Sequence, residues 1–165
     1  MSDAKVDPLT FRRVMAHFPT GVSVVTTAED GARYGMTANS VTSVSLEPVI
    51  LLVCLAREAR TGGAVKRCGR FAVNLLRDDQ EQISRHFAQP GGDHFEGLAF
   101  DEGPEGLPLL PGAIANVICR VSEIVAAGDH DVVFGEVEEC RVNGGNPLLF
   151  FLGGYRSLPG PSRLG

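Results

Sequence analysis

The 165-residue chain carries 15 Lys+Arg against 20 Asp+Glu, a formal net charge of -5, with 44% hydrophobic and 21% charged residues. That length and apolar content suit one domain, residues 1–165, burying roughly 70% of its unfolded surface, and they exclude a disordered chain. The acidic balance argues against a protein that binds duplex nucleic acid, which needs a basic face, but leaves room for one small phosphate ligand.

Residues 7–18 (DPLTFRRVMAHF) predict an amphipathic helix, capped by Thr10, with Phe11, Val14, Met15 and Phe18 on one face. Pro19 ends it and Gly21 turns the chain. Residues 21–28 (GVSVVTTA) are rich in β-branched side chains and read as a strand. The Asp-Gly pair within residues 29–33 marks a hairpin turn. A second strand is expected over residues 34–44, ended by Leu46-Glu47-Pro48. Residues 49–55 are uninterrupted apolar and predict a strand buried on both faces.

Residues 59–67 predict a short helix that Gly69 ends, and residues 70–76 (RFAVNLL) predict a further strand. Residues 78–87 (DDQEQISRHF) open with capping aspartates and place Ile83 and Phe87 four apart, as in a helix. Residues 90–111 are glycine-rich loop. Three last strands are expected over residues 113–125, 131–142 and 148–152, before a mobile tail from Pro159. About six strands without βαβ alternation, plus 20 glycines and 10 prolines to turn them, point to an antiparallel barrel with helices packed outside.

The longest apolar run, residues 49–56, is far below the roughly 18 residues of a spanning helix. The first residues contain no apolar signal-peptide core. Cys54, Cys68, Cys119 and Cys140 form no CxxC, and no Cys/His cluster has zinc spacing. These features predict a reduced, cytoplasmic protein with no disulfide and no membrane or nucleic-acid partner. Dinucleotide-fold and P-loop glycine motifs are absent, as is a GxSxG nucleophile elbow.

Four features remain. Residues 37–45 (TANSVTSVS) carry six hydrogen-bonding side chains, and on one strand Thr37, Asn39, Val41, Ser43 and Ser45 would share a face. Such a face suits a polar, planar ligand, but taken alone the plainer reading is a solvent-exposed strand face. Arg60 and Thr61 open a short helix, where N–H groups, a guanidinium and a hydroxyl suit a phosphate; the plainer reading is surface charge. His130 stands between Asp129 and Asp131, placed either to donate hydrogen bonds or as an ordinary turn residue. Gly153-Gly154-Tyr155-Arg156 permits close backbone approach and offers a ring for stacking.

In chain order, FRRVMAHFPTGVSVVTT, GMTANSVTSVSLEPVILLVCL, RFAVNLL, DHFEGLAF, GDHDVVFGEV and LLFFLGGYRSL resemble the short-chain flavin reductases. These are the reductase components of two-component flavin-dependent monooxygenases. The resemblance covers nearly the whole chain, from about Phe11 to Leu158. It implies a mainly β fold, a six-stranded antiparallel Greek-key split barrel with an N-terminal helix and short peripheral helices. It places Thr37, Ala38, Asn39, Ser40 and Ser43 around a flavin ring and ribityl chain. Cys54, Arg60 and Thr61 match the segment that holds the ribityl phosphate. His130 matches a histidine near the nicotinamide, and Tyr155 and Arg156 match a C-terminal segment near the site. Ala59 and His94 depart from the family pattern, standing where many relatives have Ser and where relatives often have Lys or Arg.

The implied reaction passes a hydride from NADH or NADPH to FMN, with FAD or riboflavin as further candidates, and delivers reduced flavin to a partner monooxygenase. The resemblance also implies a homodimer with its flavin site near the interface. A reductase that retains its FMN, and a non-catalytic flavin- or haem-binding protein on the same fold, are the competing readings.

Overall fold

The computed structural model describes residues 5–158; the tail expected to be mobile from Pro159 lies outside the described residues. The chain begins with α1 (Pro8–Ala16), β1 (Thr20–Gly21), β2 (Ser23–Glu29), β3 (Ala32–Ala38), β4 (Val41–Leu46) and β5 (Val49–Ala56). It continues through α2 (Arg60–Cys68), β6 (Arg70–Leu75), α3 (Glu81–Phe87), β7 (Asp101–Glu102) and β8 (Pro108–Leu109). The last strands are β9 (Ala115–Ala127), β10 (His130–Val142), β11 (Leu148–Phe151) and β12 (Gly154–Ser157).

The main sheet is antiparallel and has seven strands, not six, in the order β3-β2-β6-β9-β10-β5-β4. The additional strand arises because residues 34–44 are not one strand: the chain leaves the ladder at Asn39 and Ser40 and re-enters as β4. The single polar face drawn from Thr37 through Ser45 therefore does not exist. The break has a topological use. β3 and β4 are the two edges of the sheet, and an open sheet would hold them roughly 29 Å apart, six spacings of about 4.8 Å. The link from Ala38 to Val41 reaches at most about 11 Å, so the sheet must curl until its edges nearly meet. The result is a barrel with a split between β3 and the β5-β4 edge. Ser40 pins the link there, its hydroxyl donating to the Cys54 carbonyl at 3.0 Å and accepting from the Cys54 N–H at 3.2 Å.

Leu51, Val53 and Leu55 of β5 point into the barrel with Val25, Phe71, Val73, Cys119 and Val133. Ile50, Leu52 and Cys54 alternate outward and are only half-buried, so β5 is not buried on both faces. Gly135 makes the interior close: a Cβ there would sit 2.6 Å from the Phe71 ring and 2.7 Å from Cys119, beside a shift in the β9–β10 register. At one end, buried Asn74 donates to the Val24 carbonyl and to Thr26 Oγ1. It accepts from the Leu110 N–H and from Asn116 Nδ2, so both ends of its amide are satisfied.

α1 departs from expectation twice. Its cap is Asp7, whose carboxylate accepts the Thr10 N–H at 3.0 Å, with Pro8 in the first turn. Its apolar stripe meets no core: no α1 residue is buried, and Phe11, Val14 and the following Phe18 are 58% to 64% exposed. All four cysteines are free. Among the described residues no helix is long and apolar enough to cross a membrane.

Candidate functional site

The split opens into a cavity of about 600 Å³ whose floor is β3, from Arg33 to the following Asn39. That volume is in the range of small-molecule sites. As an edge strand, β3 leaves alternate N–H and C=O groups without a strand to take them. Gly35 lets an aromatic wall lie directly on its backbone; a Cβ there would be 2.5 Å from the Phe87 ring. Phe87 in turn packs edge-on against Phe95. Thr37 donates its hydroxyl to the Ser84 carbonyl at 2.6 Å, and Ser84 Oγ lies 2.8 Å from the Tyr155 hydroxyl. These bonds fix α3 and β12 along the floor.

The opposite wall is the N-terminus of α2. Its cap residue is Ala59, which supplies no side-chain hydrogen bond. The first helical bond is Gly63 N–H to the Ala59 carbonyl, and the N–H groups of Arg60, Thr61 and Gly62 have no backbone acceptor. Such an end concentrates positive potential. Thr61 is buried in this wall. The Arg60 guanidinium lies over Tyr34, 5.6 Å from its ring centre, and donates to the Gly92 carbonyl at 3.0 Å. Arg33 lies over Phe100 at 4.4 Å. Neither arginine has a carboxylate partner among the described residues, whereas Arg67, Arg77, Arg85 and Arg120 each do. Glu58 is the one carboxylate of the lining. His94 also lines the cavity, with its Nε2 buried and unpartnered. An uncapped helix end, guanidinium groups without a carboxylate partner and an orphaned imidazole nitrogen fit an anionic ligand group. Met36, Ala38 and Phe87 give the lining apolar surface that suits a flat ring.

Of the residues singled out in the sequence, Thr37, Ala38, Asn39, Arg60, Thr61 and Tyr155 meet in this lining. The others do not. Ser40 and Cys54 bond one another at the β3–β4 link, and Ser43 is exposed on β4 opposite Leu51. Arg156 folds its guanidinium onto the Tyr155 carbonyl at 2.7 Å. His130 opens β10 at the rim, paired with Ala56, which does line the cavity. Its Nδ1 lies 2.7 Å from Asp129 Oδ1, which leaves Nε2 for a ligand and holds the Asp129 carboxyl below its usual range. Gly35, Tyr34, Phe87 and the segment 88–92 escaped the sequence reading. The Pro90-Gly91-Gly92 run was visible only as a loop, and nothing local showed that it faces α2.

Comparison with known proteins places the chain in a family. The sequence model of the family described as "Flavin reductase like domain" matches residues 15–159. The flavin-dependent monooxygenase reductase subunit HsaB of Rhodococcus jostii is 35% identical over 96% of this chain and 85% of that protein. An NADH-dependent flavin reductase from a Rhodococcus species is 38% identical over 94% of this chain and 89% of that one. The solved structure of Streptomyces globisporus NADH:FAD oxidoreductase SgcE6, in complex with NAD and FAD fragments, superposes with a TM-score of 0.89 at 37% identity. It covers 96% of this chain and 98% of its own. The chain belongs to the flavin reductase-like family and is a flavin-reducing oxidoreductase.

Proposed function

We propose that the cavity holds a flavin along β3 and admits a reduced nicotinamide dinucleotide from the His130 side. The net reaction is NAD(P)H + H⁺ + flavin → NAD(P)⁺ + reduced flavin. The flavin supplies the hydride-accepting chemistry, and the protein needs no nucleophile or metal of its own. The observation that carries the reading is the uncapped N-terminus of α2, with buried Thr61 and carboxylate-free Arg60, at one end of a groove floored by a sheet edge.

Each residue then has a physical task. The α2 N–H groups, Arg60 and Thr61 hold a phosphate, which FMN and FAD carry and riboflavin lacks. The free backbone groups of β3 bond the polar edge of the ring, and Met36, Ala38 and Phe87 pack on it. Thr37 and Tyr155, tied through Ser84, keep the two sides of the groove at fixed spacing. His130 orients the nicotinamide with its Nε2. A pocket whose ring end is lined by neutral groups suits a flavin that is released after reduction. Relatives named as monooxygenase reductase subunits support delivery to a flavin-dependent monooxygenase. The deciding assay is NADH and NADPH oxidation with and without FMN, FAD and riboflavin. Turnover that requires added flavin supports the reading, and tight flavin binding with no turnover overturns it in favour of a binding protein.

The same reading includes a homodimer. α1 has no core to pack on, and beside it lies a second cavity of about 660 Å³ between Phe18, Met15, Val41 and Leu148. Exposed apolar surface of this kind is normally covered by another chain. Asn39 lines both cavities, which puts this surface next to the flavin groove.

A further inference from the structure

We propose that Asp131 is a positioning residue: a buried carboxylate that keeps the His130 rim in register with the phosphate end on α2. The inference rests on the flavin reductase reading above. Strand alternation turns Asp131 inward with Val133, opposite Leu55, and its side chain is only 6% exposed. A lone carboxylate there would be costly. Two cations meet it, Arg57 with its Nε at 3.2 Å and Lys66 through its ammonium. Arg57 belongs to the turn that leads from β5 into α2, and Lys66 lies in α2 itself. The Arg57 N–H also donates to the Asp129 carbonyl at 3.1 Å.

Asp131 is thereby tied to α2, the element that carries Arg60 and Thr61, and Asp129 to the turn that leads into it. The His130 ring has no comparable support, because among the described residues its one hydrogen-bond partner is the carboxylate of Asp129, which is 95% exposed. Its placement therefore depends on the backbone that Asp131 holds. A buried ion pair adds little net stability against an apolar alternative, and its best-attested use is to specify register. Here the register set is the distance between an anchored phosphate and the residue that meets the nicotinamide. Asp131 lines neither cavity, so it acts through its neighbours.

Asp131→Asn tests this, because it keeps shape and an acceptor but removes the charge. Arg57 and Lys66 are 42% and 40% exposed and can turn to water, so the fold should hold. In the ligand-free protein, amide exchange at Arg57 should rise on the order of tenfold while Phe71 and Val73 in the barrel stay protected. With FMN and NADH, kcat should fall on the order of tenfold, while FMN affinity by fluorescence titration stays near the wild-type value. In a His130→Ala background the same substitution should cost almost nothing further. An unchanged Arg57 exchange rate, or an equal rate loss in both backgrounds, overturns the proposal. If the wild-type protein reduces no flavin, the functional reading falls, and the exchange result still decides whether Asp131 holds the rim. Should Asp131→Asn not fold, Lys66→Met leaves Arg57 on the carboxylate and should show the same pattern at smaller size.

Discussion

Thr61 in the cavity wall and His130 at its rim are proposed to meet different ligands, so their substitutions should separate cleanly. Thr61→Val removes one hydroxyl from the phosphate end, so FMN affinity should fall on the order of tenfold, while riboflavin, which has no phosphate, should bind as before. Fluorescence titration with both flavins reads this, and equal losses would remove Thr61 from the phosphate site. His130→Ala should slow hydride transfer by roughly 10- to 100-fold and leave flavin affinity unchanged. Single-turnover absorbance at the flavin band checks it; loss of flavin binding with transfer intact would assign His130 to the other ligand. Residue types at a helix start made Arg60 and Thr61 candidates for a phosphate, but surface charge was the plainer reading there, and only the family resemblance set it aside. Residue types could not separate Thr37 from Ser43, nor Asn39 from Ser40. Those pairs differ only in where the chain leaves the ladder, and Ser40 turns out to satisfy Cys54 instead of facing the cavity.

Elements succeed or fail on what packs against them. Gly135 sits where β10 crosses Phe71, and Gly135→Ala should destabilise the barrel by about 1–3 kcal/mol through overpacking, read as a lower urea midpoint with an unchanged slope. The apolar run of β5 read as doubly buried because periodicity cannot say how many layers cover a strand. One face meets the barrel core and the other is half open. α1 shows the reverse. Its spacing of apolar residues was legible as a helix, yet among the described residues the stripe has no buried partner. Helical pattern reports the need for a surface, not which molecule provides it.

For the whole molecule, charge pairing sets the acid limit of stability. Lys66 and then Arg57 hold the Asp131 carboxyl below its usual value of 3.8, despite an opposing push from burial. Arg67 does the same for Glu29, whose usual value is 4.5. A carboxyl whose folded value is lowered stabilises the fold above its unfolded value and loses that contribution as pH falls through the folded one. Tm should therefore be nearly level from about pH 8 to 5 and fall below about pH 4, with a shallower fall in Asp131→Asn. A Tm that falls instead above pH 6 would show that other groups dominate. Sedimentation should find a dimer, and Phe11→Asp with Val14→Asp should give a monomer that keeps its barrel circular dichroism. A monomeric wild type would leave the α1 stripe without its second copy.

What the sequence determined by itself is local: β-branched runs, turn glycines, a helix start rich in donors, and a motif order that spans nearly the whole chain. Those are properties of neighbouring residues, so they survive without a fold. Tertiary structure alone decided that the sheet has seven strands and closes, because closure follows from a two-residue link between its opposite edges. It also decided which polar residues face the cavity, since a break in strand register redirects every side chain beyond it. Finally, it brought Asp131 of β10 to Lys66 of α2, residues distant in sequence that meet only once the barrel has formed.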